Sequence, residues 1–287
     1  MWFTLMLVAA FSQAVKDLCL KRSVRGVEAP VVVWAYCLAT TAFLAIAAIP
    51  AGVPDISPGF WTALGVTGPL AALTLYCYVK GLEASDLSLA VPMLTTTPLF
   101  LLATSPVMLG EFPGPMGVVG IVCIVAGSYV LNLGHARRGI LEPFRALARN
   151  RGARLMLLVA FLWSVSSNID KIGLRHSSPT FWIMCSFGIT TAWLTPVAWR
   201  LSRRGFGQVR LAPLELMATG FLEAVTCVCQ MYALTVTIVP YVISVKRLSA
   251  VFAVLLGWLV LGEGQVRERL AGATLMVLGV FLVAFLG

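Results

Sequence analysis

Lys246 and Arg247 stand side by side in the middle of an apolar run that extends from 237 to 260, in the stretch Pro240-Tyr-Val-Ile-Ser-Val-Lys-Arg-Leu-Ser249. Placing a charge at the centre of a bilayer costs about 2.5 to 3.5 kcal/mol on insertion scales, so two such residues need something to offset the cost. Neighbouring residues on a helix point about 100° apart, and the two cations can therefore border one cavity without occupying one spot. Arg offers a planar fork that matches a carboxylate or phosphate and Lys adds a point charge, so the pair suits a small organic anion. The corresponding stretch of an earlier run carries the neutral hydroxyls of Thr95, Thr96 and Thr97 instead. The competing reading is that Glu223 and Asp170 neutralise Lys246 and Arg247 internally, and the two readings can coexist.

Glu223, Cys227 and Gln230 follow one another at spacings of four and three, which puts them on one helix face. A carboxylate in an apolar run is a candidate proton carrier, or else the counter-ion of Lys246 or Arg247. Asp170-Lys171 and Lys16-Asp17 are adjacent opposite charges near the ends of their runs, where long side chains snorkel to the interface. Of the aromatics Trp34, Tyr36, Trp163, Trp182, Tyr232 and Tyr241, only Trp163 and Tyr241 are read as facing a cavity; the others are read as lipid-facing or interfacial anchors. The sequence holds no HExxH, GxSxG or Walker A pattern, and its two histidines, His135 and His176, fall in loops. No enzyme, metal site or cofactor is expected. Seven cysteines without a CxxC pair read as small buried residues.

These residues are embedded in 287 residues that are 59% hydrophobic and only 11% charged, with a mean hydropathy of +0.92. A soluble domain is about 25% charged, so a soluble globular protein is excluded. The net charge of +9 lacks the solvent-facing basic stripe with interleaved aromatics that nucleic-acid binding needs. Apolar runs at 2–20, 29–50, 59–79, 87–109, 115–134, 154–174, 179–200, 211–234, 237–260 and 268–287 are each close to the roughly 20 residues a membrane helix requires. The fold class is all-α integral membrane, with ten transmembrane helices. A basic connection, 135–153, separates a first five-helix repeat, 1–134, from a second, 154–287; a short interfacial helix is expected at 140–149.

The two sets superpose at a constant offset of 152 residues: Ser12 on Ser164, Leu109-Gly110-Glu111 on Leu261-Gly262-Glu263, Gly120 on Gly272 and Gly127 on Gly279. Thr40-Thr41-Ala42 matches Thr190-Thr191-Ala192 at an offset of 150. Glycines seven apart face one side of a helix and admit a close neighbour. A duplicated unit with an odd number of spans enters the membrane from opposite sides, which gives an inverted repeat, an architecture typical of secondary transporters.

With these motifs, Trp163-Ser164 followed by Lys171, and short loops, the chain resembles the ten-helix EamA branch of the drug/metabolite transporter superfamily over nearly its whole length. The resemblance implies secondary active transport of a small organic metabolite by alternating access, places Lys171 near the central cavity, and adds that organophosphate transporters of the superfamily use a Lys-Arg pair on their ninth helix. Lys246 and Arg247 would then bind an anionic, phosphate- or carboxylate-bearing head group, Lys171 would assist, and Gln230, Thr96, Tyr241 and Trp163 would line the cavity. Glu223 and Asp170 would form a coupling site or an internal ion pair. Expected partners are a small-molecule substrate, the lipid bilayer, a coupled proton or exchanged anion, and a second copy of the chain. The alternatives are an exporter of amino acids or other zwitterionic or cationic metabolites, a flippase for a lipid-linked phosphate, and a membrane scaffold or sensor. The resemblance also implies the plasma (inner) membrane as location, and relatives generally keep both termini in the cytoplasm. Here Lys and Arg crowd the connections after the odd-numbered spans while the other side holds Arg175, so the positive-inside rule places both termini outside.

Overall fold

A computed structural model describes residues 1–23, 26–84, 93–133, 150–261 and 266–287, and among these the chain is helical with no strand. The helices are α1 (Trp2–Ser23), α2 (Ala29–Ala48), α3 (Pro58–Ala84), α4 (Thr97–Leu109), α5 (Pro115–Leu133), α6 (Arg151–Arg175), α7 (Pro179–Leu201), α8 (Pro213–Leu234), α9 (Val239–Lys246), α10 (Ser249–Leu261) and α11 (Val266–Phe281). Among the described residues, seven apolar helical stretches are long enough to cross a membrane, one of them Val239–Leu256, which runs through α9 into α10, and Thr97–Leu109, Pro115–Leu131 and Leu270–Leu286 are shorter apolar helices. Most of the basic connection, the helix expected at 140–149, and Gly262-Glu263 of the second LGE lie outside the described residues.

Local chemistry sets the helix ends. Proline occupies the first turn of α2, α4, α7, α8 and α9, where its missing N–H is one the helix would leave unpaired anyway. Gly110 ends α4 with φ 68°, its N–H donating to Pro106 O at 3.0 Å while Glu111 N donates back to Ser105 O at 3.4 Å. That left-handed closure is what glycine allows. The ninth apolar run is two helices, α9 and α10, rather than one.

The chain forms two compact units, each drawing on both halves of the sequence: Met1–Tyr76 with Ile169–Val236, and Cys77–Asn168 with Thr237–Gly287. In the first unit α8 packs against α1 and α2, and α2 against α7. A Cβ on Gly220 would fall 2.5 Å from Ala39 Cβ, and Thr40 Oγ1 donates to Gly220 O at 3.1 Å, so α2 and α8 meet almost backbone to backbone. Thr41 meets Thr191, its counterpart in the other half, with hydroxyls 3.4 Å apart.

The second unit is built around α5 against α11. A Cβ on Gly120 would lie 2.7 Å from Gly279 O, and one on Gly127 would lie 2.6 Å from Gly272 O; the reverse approaches, from Gly279 and Gly272, are 2.6 and 2.7 Å. The contact is reciprocal, since Gly120 corresponds to Gly272 and Gly127 to Gly279. The earlier glycine of each helix faces the later one of its partner, so the two run antiparallel.

Candidate functional site

Within the second unit the helix ahead of α4 is interrupted. Met93 and Leu94 are helical, Thr95 and Thr96 form a turn, and α4 starts at Thr97. Pro98 explains the break, because Leu94 O would take the N–H of residue 98 in a continuous helix and proline has none. Thr97 Oγ1 donates to that carbonyl at 2.8 Å instead, and Thr96 Oγ1 donates to Met93 O at 2.6 Å. Between α9 and α10 the backbone tightens into bonds three residues apart: Arg247 N to Ser244 O and Leu248 N to Val245 O, both at 3.0 Å, then Ala250 N to Arg247 O at 3.0 Å. The turns at Thr95–Thr96 and Arg247–Leu248 are separated by the same 152 residues as the glycine pairs. One turn carries hydroxyls; the other carries Arg247, directly after Lys246. Both cations and Thr96 are partly buried.

The first LGE motif holds α9 in place. Once Gly110 has closed α4, Glu111 Oε2 accepts the N–H of Val239 at 3.2 Å, which puts a carboxylate at the positive end of the α9 dipole. Gly114 N donates to Tyr241 Oη at 3.2 Å, and any side chain at Gly117 would run into the Tyr241 ring. Tyr241, expected from sequence to line a cavity, is 7% exposed and fastens α9 to the 110–114 connection. Trp163 is partly buried against Tyr78, with ring centroids 6.3 Å apart. Beside it lies a polar network the sequence reading missed. Ser105 Oγ donates to Asn168 Oδ1 at 2.7 Å, Asn168 Nδ2 donates to Thr104 Oγ1 at 3.0 Å, and Thr104 Oγ1 donates to Ser164 Oγ at 3.3 Å. Ser105, Asn168 and Ser164 are fully buried. The available signal was the repeat itself, because Asn168 stands 152 residues after Lys16.

The remaining candidates belong to the first unit. Glu223 Oε2 pairs with Lys16 Nζ at 2.7 Å, joining α8 to α1. Lys16 lies 5.8 Å from the Tyr36 ring centroid, and Cys227 Sγ donates weakly to Glu223 Oε1 at 3.8 Å. Sequence ranked Lys16 as a snorkelling residue; it is 7% exposed. Asp170 Oδ1 accepts the indole N–H of Trp182 at 3.1 Å. Trp182 is itself completely buried, tight against Gly173 and edge-on to Phe60, so it is a core residue and not an interfacial anchor. Lys171 and Gln230 are also buried. His176 receives the Ser57 hydroxyl at Nδ1 or donates to it, and its ring fills the space over Gly59. Among the described residues no three His, Cys, Asp or Glu side chains gather as metal ligands.

Apolar helices of crossing length, buried ionic residues within them and interrupted helices define a polytopic membrane protein. The model of the EamA-like transporter family matches residues 1–133 and 150–285, and the chain belongs to that family. It is 29% identical over 213 residues to a riboflavin transporter of Rhizobium johnstonii. That stretch covers 72% of this chain and 65% of the relative, just under two thirds of the relative's own length. A solved crystal structure superposes with a TM-score of 0.79 over 99% of this chain and 96% of the other at 18% identity, which shows a shared fold. Family and relative both point to transport rather than catalysis.

Proposed function

We propose that the protein is a ten-span secondary transporter whose halves, 1–134 and 154–287, are inverted repeats, and that it carries a small organic anion by alternating access. The observation that carries this reading is the pair of helix interruptions 152 residues apart, Thr95–Thr96 and Arg247–Leu248. Interrupted helices at corresponding positions of two repeats are the best pointer to a transporter's binding site. Reciprocal glycine contacts between antiparallel α5 and α11, and the meeting of Thr41 with Thr191, are what a two-fold axis relating the halves would produce. Lys246 and Arg247 supply charge for a carboxylate or phosphate, Thr96 supplies a hydroxyl acceptor, and Tyr241 and Glu111 hold α9 so that the cations keep their place. Lys171, Gln230 and Trp163 are the next residues to test for substrate contact.

The riboflavin-transporting relative favours a second reading, a neutral flavin-like substrate recognised by hydrogen bonds and stacking. Riboflavin and riboflavin 5′-phosphate share one ring system and differ by a phosphate, so they separate the two. The experiment is a thermal-shift screen in detergent with these flavins beside phosphorylated, carboxylated, zwitterionic and cationic metabolites. A ligand at 100 times its Kd stabilises the fold by about 2.7 kcal/mol. Stabilisation by one anion class, lost in Lys246→Gln/Arg247→Gln, supports the anion reading. Stabilisation by riboflavin, a cation or an amino acid that persists in the double variant overturns it.

A further inference from the structure

The connection from α7 to α8 is a built platform. Glu28, just ahead of α2, turns its carboxylate inward: Oε2 accepts Ser202 Oγ at 2.6 Å, Arg203 N at 2.9 Å and Gln208 Nε2 at 3.3 Å, while Glu28 N donates to Gln208 Oε1 at 2.8 Å. Gln208 Nε2 also donates to Gly205 O at 2.8 Å. Gly205, at φ 69°, turns the chain into a short 3-10 helix, Phe206–Leu211. Phe206 stacks on Trp34 with centroids 4.3 Å apart, which anchors that helix to α2.

With the Glu28 carboxylate consumed internally and Glu215, at the start of α8, half-buried, the platform presents Arg203, Arg204 and Arg210, all exposed, interleaved with Trp199 (71% exposed), Leu211 (67%) and Leu214 (77%). It joins the ends of two apolar helices of crossing length, so it lies by construction where chain leaves the hydrocarbon. Cations beside exposed apolar and indole side chains at that depth match a headgroup phosphate above an acyl chain. A purely electrostatic protein partner would not call for the leucines. We propose that this platform binds anionic phospholipid, the arginines taking the phosphodiester and Trp199, Leu211 and Leu214 the upper acyl chain.

The full chain is reconstituted into nanodiscs of phosphatidylcholine alone or mixed with phosphatidylglycerol, and its Tm is measured for the native chain and for Arg203→Gln/Arg204→Gln/Arg210→Gln. Phosphatidylglycerol is expected to raise the native Tm by about 5 °C, and the triple variant is expected to lose most of that rise while matching the native Tm in phosphatidylcholine. An equal rise in the variant, or none in the native chain, overturns the proposal. So does an equal rise on adding inorganic phosphate to phosphatidylcholine discs, which would make the ligand a free anion. If the triple variant fails to fold, Arg204→Gln alone decides: its rise must be smaller than the native one, and an undiminished rise counts against the platform.

Discussion

Lys16 and Asn168 hold the same place in the two halves, 152 residues apart, and their surroundings diverge completely. Lys16 makes an ion pair with Glu223, whereas Asn168 sits in a neutral network with Ser105 and Thr104. The helix interruptions differ in the opposite sense: hydroxyls at Thr95–Thr96 in the first half, cations around Arg247 in the second. The glycine contacts of α5 and α11 are the same in both halves. Close backbone approach leaves no alternative to glycine, so packing imposes the symmetry. Polar positions have several self-consistent solutions once the helices are placed, and there the halves are free to differ.

The first test breaks what the halves share. Gly127→Ala forces a Cβ to 2.6 Å from Gly272 O, where the obstacle is backbone, and is expected to cost about 3 kcal/mol. Gly65→Ala, with nothing within 4 Å of the added Cβ, should leave Tm unchanged or raise it.

Next come the positions where the halves differ. Lys16→Gln strands Glu223 in a membrane helix and is expected to cost about 3 to 5 kcal/mol, with Lys16→Gln/Glu223→Gln recovering much of the loss. Asn168→Ala leaves hydrogen-bonding groups unpaired at a cost of about 1 to 3 kcal/mol. Equal losses at both sites, with no recovery in the double variant, would erase the contrast between a charged and a neutral solution. Tyr241→Phe removes the acceptor for Gly114 N and should lower stability by about 1 kcal/mol, read as a Tm shift.

The smallest effect is at Glu28, and it depends on pH. The Ser202 hydroxyl above all, helped by Gln208 and the Arg203 and Arg204 amides, holds its carboxyl below the usual carboxylate range. The stability it contributes is therefore complete at neutral pH and is lost as pH falls through the lowered value. In Tm measured against pH, Glu28→Gln should be less stable than the native chain at pH 7 and should converge with it in acid. A constant gap across the range would assign the loss to packing instead.

Most helix positions were legible in sequence because 20-residue apolar runs between Pro, Gly and charge admit few other readings. The division of the ninth run was not, since Lys246-Arg247 carries no Pro or Gly and the backbone simply tightens there. The earlier turn could have been read from Pro98, whose missing N–H leaves Leu94 O to the Thr97 hydroxyl. Glu111 was legible only as part of a repeated LGE motif, because its target, Val239 N, depends on chain brought together across more than a hundred residues. The Lys16–Glu223 pair was hidden for the same reason: sequence names which ions are costly, and packing decides which ones meet. Trp182 was misplaced because an indole at a span's start suits an interface equally well, and only Gly173 and Asp170 beneath it make it core.

The central claim, an anion-selective site at the paired interruptions, can be tested without knowing the substrate. Thr96→Cys in a cysteine-free chain is reacted with small water-soluble thiosulfonates, one anionic and one cationic, each rate normalised to a free thiol in solution. Lys246 and Arg247 should make the anionic reagent faster by about tenfold, equivalent to about 1.4 kcal/mol of potential, and Lys246→Gln/Arg247→Gln should abolish that preference. A thiol inert to both reagents, or one that prefers the cation with both basic residues intact, would contradict the account.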